Sequence, residues 1–571
     1  MWLVSTCHHI IVVVAFEPRK AAEDRVQRVL VDIKKVSPYI ASLPPNEEKV
    51  KMITASTVLT VIAACIAVQI LRWFRLRRVM PPGPLGLPWI GNSSQVPSFK
   101  PWIKFAEWNK EYGPVSSIML GSTPTIILGK AQHAWDLLEK RSEIYSSRPR
   151  FVMASEILSE DRRGLMLPNS SDLWKQWRKM LHNGFHVRKA PVYHTIQSLE
   201  SKVLLKQIMD EPKNFDGYMK RYAASVVTSV TYGRRVESVE EWVVKENMAS
   251  MDYLTSVNLP GKFLVESWPW LLNLPRSLQW FRKDPEERKK QDEHFLLYLL
   301  NDVRARSKNG TCHDCLTSQA LANREEGKVV MTDLQLAYSV SSPFGAGIET
   351  TAGTLSVFTL AMLIFPEVLK KAQEEVDRVV GSERMPEFHD KDQLPYVTAL
   401  INETLRWRPI PVLGGTAHAS TADDEYQGKF IPKGSSVYAN MYGIMRDEEL
   451  FPSPDDFQPE RFLPETKTTH PRINLKEFDL PFGFGRRICP GMHLALNSLF
   501  INVSRLLWAF DIKPVKDKDG KDIIPDSHAF TNRFNSRPLP FDCQFIVRND
   551  RVRNMIEAEW ENVRSQLDSW N

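Results

Sequence analysis

The chain has 571 residues, of which 43% are hydrophobic and 25% charged, and its formal net charge is +6. This basic excess is mild and has no aromatic-interleaved basic platform beside it, which argues against nucleic-acid binding. The six cysteines are too few and too scattered for a disulfide framework, so a reducing compartment is indicated. At about 150 residues per domain, length alone would predict three or four domains.

The first 51 residues do not have the pattern of a targeting segment. The apolar run at 10–16 is too short to span a membrane, no basic leader precedes it, and a mixed-charge stretch follows. We interpret residues 1–51 as an N-terminal extension, which is either a lumenal appendage or the product of a start codon placed too early.

Residues 52–71 form a charge-free run rich in Val, Ile, Ala and Leu. At about 1.5 Å per residue this run is long enough to cross a hydrocarbon layer of ~30 Å, so it predicts a transmembrane helix. Four arginines follow and outnumber the two lysines before it, which places the rest of the chain on the cytosolic side. Residues 72–92 predict a basic, proline-rich hinge. Glycosylation triplets at Asn92 and Asn309 would then face the cytosol and stay bare.

Trp174 and Arg178 lie one helical turn apart, where an indole N–H and a guanidinium can reach the same acidic group. Taken alone, this spacing says very little. Lys175, Arg178 and Lys179, together with Arg486, form a candidate basic patch for an acidic flavin-containing partner. A solvated helix face is an equally good interpretation of these charges.

Two further segments leave alternatives open. Residues 263–281 are apolar and contain three tryptophans, so they either dip into a membrane surface or pack in the core. Cys312 and Cys315 have a spacing used in metal sites and thiol exchange. No second pair exists and residues 307–324 are polar, so we predict an exposed linker between helices there.

A long apolar stretch from about 334 to 365 predicts one central helix. Gly345 and Gly347 are poor helix formers, and their missing side chains would leave space against a flat cofactor. Thr350 can bond the backbone a turn earlier and open a groove wide enough for dioxygen and water. The simpler alternative is a Gly/Thr kink in a core helix with Glu349 as a capping residue.

Glu403 and Arg406 are three residues apart in the amphipathic segment 394–407, which places them on one helical face. An isolated pair of this kind is usually solvated and contributes about 0.2–0.5 kcal/mol. The pair therefore carries little weight without its context.

The most informative segment is Phe-Gly-Phe-Gly-Arg-Arg-Ile-Cys-Pro-Gly, which presents Cys489 in a glycine-rich loop before an apolar helix. Gly485 and Gly491 permit turn geometry that a side chain would forbid, while Arg487, its neighbour Arg486 and the loop amides favour an ionised sulfur. Iron–sulfur clusters and structural zinc usually need four ligands, and no other cysteine lies near. One thiolate on one iron indicates haem, and a basic surface loop with a buried cysteine is the alternative.

This segment resembles the haem loop of cytochrome P-450 enzymes at five fixed positions: Phe482, Gly485, Arg487, Cys489 and Gly491. The resemblance extends over essentially everything after the proline cluster at 81–84. It is to eukaryotic membrane members of the family, and we expect a fungal enzyme of secondary metabolism. It implies a mostly α fold with a small β portion, in one catalytic domain at 93–548 that overrides the length argument.

The resemblance also implies roles for single residues. Cys489 would be the thiolate ligand to the iron of haem b, and Glu349 and Thr350 would be the acid–alcohol pair that supplies protons for oxygen activation. Residues expected to bind the haem are Trp174, Arg178, His418, Phe482, Gly485, Arg487 and Gly491.

By the same resemblance, Arg461 joins Glu403 and Arg406 in a buried ionic lock that specifies the fold more than it adds net stability. Two departures from the family pattern would alter the substrate pocket: no proline precedes His418, and Pro343 enters the central helix. At the other end of the chain, a helical repeat of apolar residues predicts an added C-terminal helix at 549–571.

The function implied is insertion of one oxygen atom from O2 into an apolar organic substrate, by hydroxylation or epoxidation. Electrons would come from NADPH–cytochrome P-450 reductase, with cytochrome b5 as an optional partner, at a single-pass anchor in the endoplasmic reticulum membrane. One alternative is a haem-thiolate isomerase or dehydratase, which would need neither the acid–alcohol pair nor a reductase. The other is a non-catalytic membrane haem-binding protein.

Overall fold

The computed structural model describes residues 47–258, 262–463, 465–466, 473 and 478–567. The chain divides into two units, one made of Met1–Pro82 with Glu425–Phe430 and the other of Gly83–Asp424 with Ile431–Asn571. Most of the extension at 1–51 lies outside the described residues.

Helix α1, Glu47–Val79, contains the predicted membrane span and is longer than expected. Its part Ser56–Val79 is long and apolar enough to cross a membrane, and its most apolar window buries no residue inside the protein. The prediction that 72–92 is all hinge is wrong for 72–79, because the arginines there are good helix formers and no glycine or proline interrupts them before Pro81.

The second unit is built mainly from helices. Those of eight or more residues, in chain order within the described residues, are α2 Pro101–Tyr112, α3 Asp172–Phe185, α4 His194–Asp210, α5 Phe215–Tyr232, α6 Trp242–Val257, α7 Lys283–Lys308, α8 Leu316–Glu325, α9 Asp333–Val340, α10 Ser342–Ile364, α11 Pro366–Val379, α12 Pro395–Trp407, α13 Met492–Ala509 and α14 Asp550–Leu567. Helix α10 is the centre of the core: it packs along α5 and also against α12 and α13.

Short strands form the β portion. They are β1 Val115–Leu120, β2 Thr123–Leu128, β3 His418–Ala419, β4 Asp424–Tyr426, β5 Lys429–Ile431, β6 Ser436–Ala439, β7 Phe510–Lys516, β8 Asp522–Ile523 and β9 Cys543–Val547. One sheet has the order β1-β2-β6-β3, in which only the β2–β6 pair is parallel. A second sheet has the order β8-β7-β9, and β4 pairs with β5. The predicted mostly α fold with a small β portion is confirmed.

The single central helix predicted at 334–365 is two helices that meet at Ser341. Pro343 lies in the first turn of α10, where a missing N–H costs no hydrogen bond, so the proline starts a new helix. The run Asp333–Ile364 is apolar enough to span a membrane, but it is mostly buried and is a core helix.

The segment after the proline cluster is closed by the buried side chain of Asn92. Its Nδ2 donates to the carbonyl of Pro84 at 3.1 Å and to Oε1 of Gln95 at 2.8 Å. Its Oδ1 accepts from the backbone N–H of Met119, at the edge of the first sheet, at 2.8 Å. Asn92 is fully buried, so both ends of its amide are used in holding this segment on the sheet.

Residues 263–281 are partly packed in the core and partly exposed to solvent. Trp270 and Trp280 are exposed, whereas Val265 and Leu271 are buried in an apolar cluster with residues of the 152–158 segment. The carboxylate of Glu266 accepts hydrogen bonds from the backbone N–H groups of Val152 and Met153, at 3.1 and 2.8 Å. The segment is therefore tied to the body on one side and presents tryptophans to solvent on the other.

The interpretation of 307–324 as an exposed linker is wrong for most of its length. Cys315 is buried and caps α8, accepting a hydrogen bond from the backbone N–H of Ser318. A Cβ built on Gly233 would lie 3.5 Å from the sulfurs of both Cys312 and Cys315, so the two thiols face one point. Among the described residues no group of three or more Cys, His, Asp or Glu could hold a metal ion.

Helix α14 lies where the sequence predicts an added C-terminal helix. Val563 and Leu567 pack on Leu199 and Val203 of α4, and Lys202 pairs with Glu559 at 2.8 Å. Residue 570, the last position of the predicted apolar repeat, lies outside the described residues.

Candidate active site

The cysteine loop folds as two consecutive tight turns. The backbone N–H of Cys489 donates to the carbonyl of Phe482 at 2.8 Å, and Gly485–Arg487 form a turn of 3-10 helix between them. Helix α13 then begins at Met492. These bonds close a loop around the sulfur, as the sequence predicts.

The two glycines of this loop have different reasons to be there. Gly485 has a φ of +52°, and a Cβ on it would lie 2.5 Å from the carbonyl oxygen of Leu138, so no side chain fits. Gly491 has a φ of −88°, which any residue can adopt, and its Cβ would meet only the sulfur of Cys489, at 4.0 Å. The expectation that Gly491 is needed for turn geometry is therefore wrong. Instead it keeps the space beside the sulfur open.

Charge near the sulfur comes from a different arginine than expected. Burial raises the pKa of Cys489, while the backbone N–H of Gly491 and the guanidinium of Arg178 lower it. Arg486 is exposed, and Arg487 donates to a backbone carbonyl instead. The prediction that these two arginines favour the thiolate is therefore wrong, and Arg178 on α3 has that role.

Arg487 lies over the ring of Trp174, with its guanidinium carbon 4.3 Å from the indole centroid. Its Nε donates to the carbonyl of Ser146 and its Nη2 to that of Leu167, both at 2.7 Å. Burial, with repulsion from Arg148 and Arg178, lowers the pKa of Arg487 to about 8. Three guanidinium groups therefore share one poorly solvated region.

Arg148 completes this cationic cluster, and the imidazole of His418 lies beside it. His418 is buried, and its Nδ1 lies 2.8 Å from the carbonyl oxygen of Tyr145. Burial and the charge of Arg148 lower the pKa of His418 to about 3, and burial lowers that of Arg148 to about 9. Arg148 Nη1 donates to the carbonyl of Ala417 at 2.9 Å. No carboxylate of the described residues affects the pKa of Arg148, Arg178 or Arg487.

This cluster fits the acidic edge of a haem. Buried cations without an anionic partner are costly, and the two carboxylates of haem b would supply that partner. Two buried donors point to the same need, since Trp174 Nε1 and Arg487 Nη1 have no hydrogen-bond partner within the part of the chain that the structure describes. The residues present therefore fit the cofactor that the loop motif predicts.

Helix α10 presents an accessible face within the body of the protein. Ala346 is exposed and Thr350 half-buried, whereas Ile348 and Ala352 are buried. The hydroxyl of Thr350 donates to the carbonyl of Ala346 at 2.8 Å, which is the backbone bond that the sequence predicts. This face of the helix can take a reactant.

The glycines of α10 do not make room for a cofactor, and this expectation is wrong. A Cβ on Gly347 would lie 2.4 Å from Cγ1 of Val227 on α5, and one on Gly345 would lie 2.7 Å from the sulfur of Met251 on α6. Both glycines are there because neighbouring helices pack closely on α10. The partners are more than 90 residues away in sequence, so no local pattern could reveal them.

Glu349 is ion-paired with Arg537, which lies far along the chain between β8 and β9, with 3.6 Å between Oε2 and Nη1. The side chains of Glu349 and Thr350 therefore have different surroundings. Thr350 forms a hydrogen bond within its own helix, whereas Glu349 forms an ion pair with a remote segment of the chain.

The ionic lock is brought together as predicted from the resemblance. Arg406 Nε lies 2.6 Å from Glu403, and both side chains are fully buried. Arg461 Nε lies 3.4 Å from the same carboxylate. The solvated alternative for this pair is excluded by its burial.

The candidate basic patch loses one member. Lys175, Lys179 and Arg486 are exposed, but Arg178 is turned inward and acts on the sulfur of Cys489. Sequence reasoning also missed Arg148 and Arg537, which belong to no spaced motif. The signal for Arg148 would have been a second basic residue inside an otherwise buried stretch.

The comparisons agree with this geometry. The family model for cytochrome P-450 matches residues 81–541. Cytochrome P-450 monooxygenase 58 of Postia placenta is 37% identical over 85% of this chain and 92% of its own length. Cytochrome P-450 monooxygenase virE of Hypocrea virens is 36% identical over 86% of this chain and 89% of its own.

A solved zebrafish cytochrome P-450, in a structure with abiraterone, has the same fold. Its TM-score is 0.63 at 22% identity, over 79% of this chain and all of that chain. Together with the family match and the fungal relatives, the loop and the cationic cluster establish that this chain belongs to the cytochrome P-450 family of haem-thiolate monooxygenases.

Proposed function

We propose that Cys489 is the iron ligand of this monooxygenase and that Glu349 and Thr350 deliver the protons of its reaction. The observation that carries the proposal is the loop that holds Cys489 beside a poorly solvated cluster of cations, for which the described residues supply no carboxylate partner. When bound, a haem with a thiolate ligand supplies the activation of dioxygen.

The residues of the chain do the remaining work. Arg148, Arg178 and Arg487 provide positive charge, and His418 provides a neutral imidazole, to fix the acidic edge of the cofactor. Arg178 additionally favours the ionised sulfur, because its charge offsets part of the rise that burial causes in the pKa of Cys489. The cofactor is thereby oriented from two sides.

On α10, Thr350 holds a hydroxyl at the accessible face, and its neighbour Glu349 brings a carboxyl that can hold or release a proton. An isomerase or dehydratase would not need this pair, so its presence favours oxygen insertion. A non-catalytic haem protein would not need it either.

We propose an apolar substrate. The apolar cluster formed by the 152–158 and 263–281 segments, with Met251 at its edge, reaches the start of α10 at Gly345, directly before the accessible Ala346. Burial of an apolar molecule there would be favourable by about 25 cal/mol per Å². Fungal relatives support, as a further proposal, a place in secondary metabolism.

For electron supply we propose NADPH–cytochrome P-450 reductase, with cytochrome b5 as an optional donor. The exposed Lys175, Lys179 and Arg486, on the side of the protein that carries the cysteine loop, offer an acidic partner a positive surface. We further propose a single-pass anchor through α1 in the endoplasmic reticulum membrane, with the body cytosolic.

The test is Cys489→Ser, with Cys312→Ser as the matched control, since Cys312 is also partly accessible but lies outside the site. The reduced, carbon monoxide-treated wild type and control should show the thiolate-type Soret band, and Cys489→Ser should not, because a neutral hydroxyl cannot replace the sulfur donor. A Cys489→Ser protein that keeps this band would contradict the ligand assignment.

A further inference from the structure

Arg537 lies between two carboxylates that belong to different helices. Its Nη1 is 3.6 Å from Oε2 of Glu349 on α10, and its Nη2 donates to Oδ1 of Asp216 on α5. Only 13% of the Arg537 side chain is exposed, and 22% of that of Glu349. The pair is therefore much less screened than a surface ion pair.

Asp216 is a fixed anchor for this arginine. Its Oδ1 accepts from the hydroxyl of Ser356 at 2.7 Å, and its Oδ2 lies 3.1 Å from Lys220 Nζ. Burial raises the pKa of Asp216, but Arg537 and Lys220 outweigh burial and bring it below its usual value. Ser356 is seven residues, two turns, after Glu349, so the same face of α10 carries both contacts.

The backbone around Arg537 is also held. Its N–H donates to the hydroxyl of Thr531 at 3.1 Å, and its carbonyl accepts from the N–H of Thr531 at 2.9 Å. A Cβ on Gly353 would lie 3.5 Å from Cβ of Arg537, so the arginine lies against α10 where that helix has no side chain.

These contacts restrict what Arg537 can do. A guanidinium holds its proton far more firmly than a carboxyl does, so Arg537 is a poor source of protons for Glu349. It can determine where the carboxylate of Glu349 stays, and it shares its charge between Glu349 and Asp216. We propose that Arg537, anchored on Asp216, is a positioning residue that sets the location of Glu349 for proton delivery. This inference rests on the proton-delivery role given to Glu349 under the proposed function.

The experiment compares Arg537→Gln, Arg537→Lys, Asp216→Asn and Glu349→Gln in the full chain with NADPH–cytochrome P-450 reductase. Arg533→Gln is the matched control, because Arg533 lies in the same segment and pairs with Asp252 at the surface, where about half of each side chain is exposed. The first readout is the hydrogen peroxide formed per NADPH oxidised, with its solvent isotope effect. The second is the stretching frequency of carbon monoxide on the reduced protein, which senses polarity at this face without turnover.

In Arg537→Gln we expect the hydrogen peroxide formed per NADPH oxidised to rise, because a misplacement of about 1 Å can slow the step that a catalytic group assists by up to ~100-fold. The solvent isotope effect should rise, and the carbon monoxide frequency should shift as in Glu349→Gln. Arg537→Lys should bring both readouts part of the way back to the wild-type values, and Asp216→Asn should change them less than Arg537→Gln does. The double variant with Arg537→Gln and Glu349→Gln should give the same readouts as Glu349→Gln alone.

Two outcomes would overturn the inference. If Arg537→Gln behaves like Arg533→Gln while Glu349→Gln differs from wild type, Arg537 does not position Glu349, although the proposed function stands. If Glu349→Gln itself equals wild type, the proton-delivery role falls and this inference with it. Should Arg537→Gln fail to bind haem, Arg537→Lys and Asp216→Asn decide by the same criteria.

Discussion

Replacing Gly347 by alanine tests whether this glycine serves helix packing. Alanine favours a helix over glycine by about 1 kcal/mol, which on its own would stabilise α10. Opposing this, the new Cβ would lie 2.4 Å from Val227 Cγ1, so close that the side chain of Val227 or one of the two helices must shift. Overpacking typically costs about 1–3 kcal/mol, so the net effect should be a loss of up to ~2 kcal/mol.

Two matched variants separate these contributions. A Cβ on Gly353, in the same helix, would meet the flexible end of Ile410 at 3.0 Å and make an ordinary van der Waals contact with Cβ of Arg537 at 3.5 Å, so Gly353→Ala should be neutral or stabilising. In a Val227→Ala background the clash at Gly347 is removed, and Gly347→Ala should become neutral or stabilising too. The coupling between positions 227 and 347 should reach about 1–3 kcal/mol.

The assay is thermal unfolding of the haem-loaded protein, followed by circular dichroism and by loss of the thiolate-type Soret band. We expect both signals of Gly347→Ala to move down together by a few degrees. If unfolding by circular dichroism is unchanged while haem is lost, the glycine makes room for the cofactor after all, and the packing argument is refuted.

Three further results are expected. Thr350→Ala should keep haem binding but lower the product formed per NADPH, and coupling equal to wild type would remove Thr350 from proton delivery. Deleting residues 1–51 should leave carbonate-resistant membrane attachment intact, whereas deleting 1–80 should release much of the protein. Release by the shorter deletion would make the extension the anchor. Glu266→Leu leaves two backbone amides of the 152–158 segment without acceptors, at a cost of about 1–3 kcal/mol. The substitution should therefore speed both amide exchange in the 152–158 segment and the association of an azole ligand. Unchanged rates would show that Glu266 does not hold the segment.

Motif spacing predicted those features that depend on contacts between residues close in sequence. Cys489 lies in a loop closed by its own backbone, and Glu403 and Arg406 meet within a single helix, so a short motif contains the necessary information. The hydroxyl bond of Thr350 to its own helix is of the same kind. A distant partner that matters, Arg461, was found only through the family resemblance.

What could not be predicted depends on contacts between distant parts of the chain. Gly345 and Gly347 were assigned to the cofactor because a sequence does not show that α5 and α6 pack against them. Arg178 was assigned both to the haem and to a surface patch, because the helical pattern alone cannot tell an inward arginine from an outward one. Arg537 follows Glu349 by 188 residues, and no periodicity connects them.

The buried amide of Asn92 has a consequence for experiments on membrane topology. An acceptor asparagine must offer its Nδ2 to the glycosylating enzyme in an exposed loop, and that atom of Asn92 is hydrogen-bonded inside the protein. Once the protein is folded, Asn92 stays unmodified whichever side of the membrane it faces. The absence of a glycan on Asn92 therefore carries no topological information. Asn309, exposed just after α7, is the natural reporter: a glycan there would place the body in the lumen.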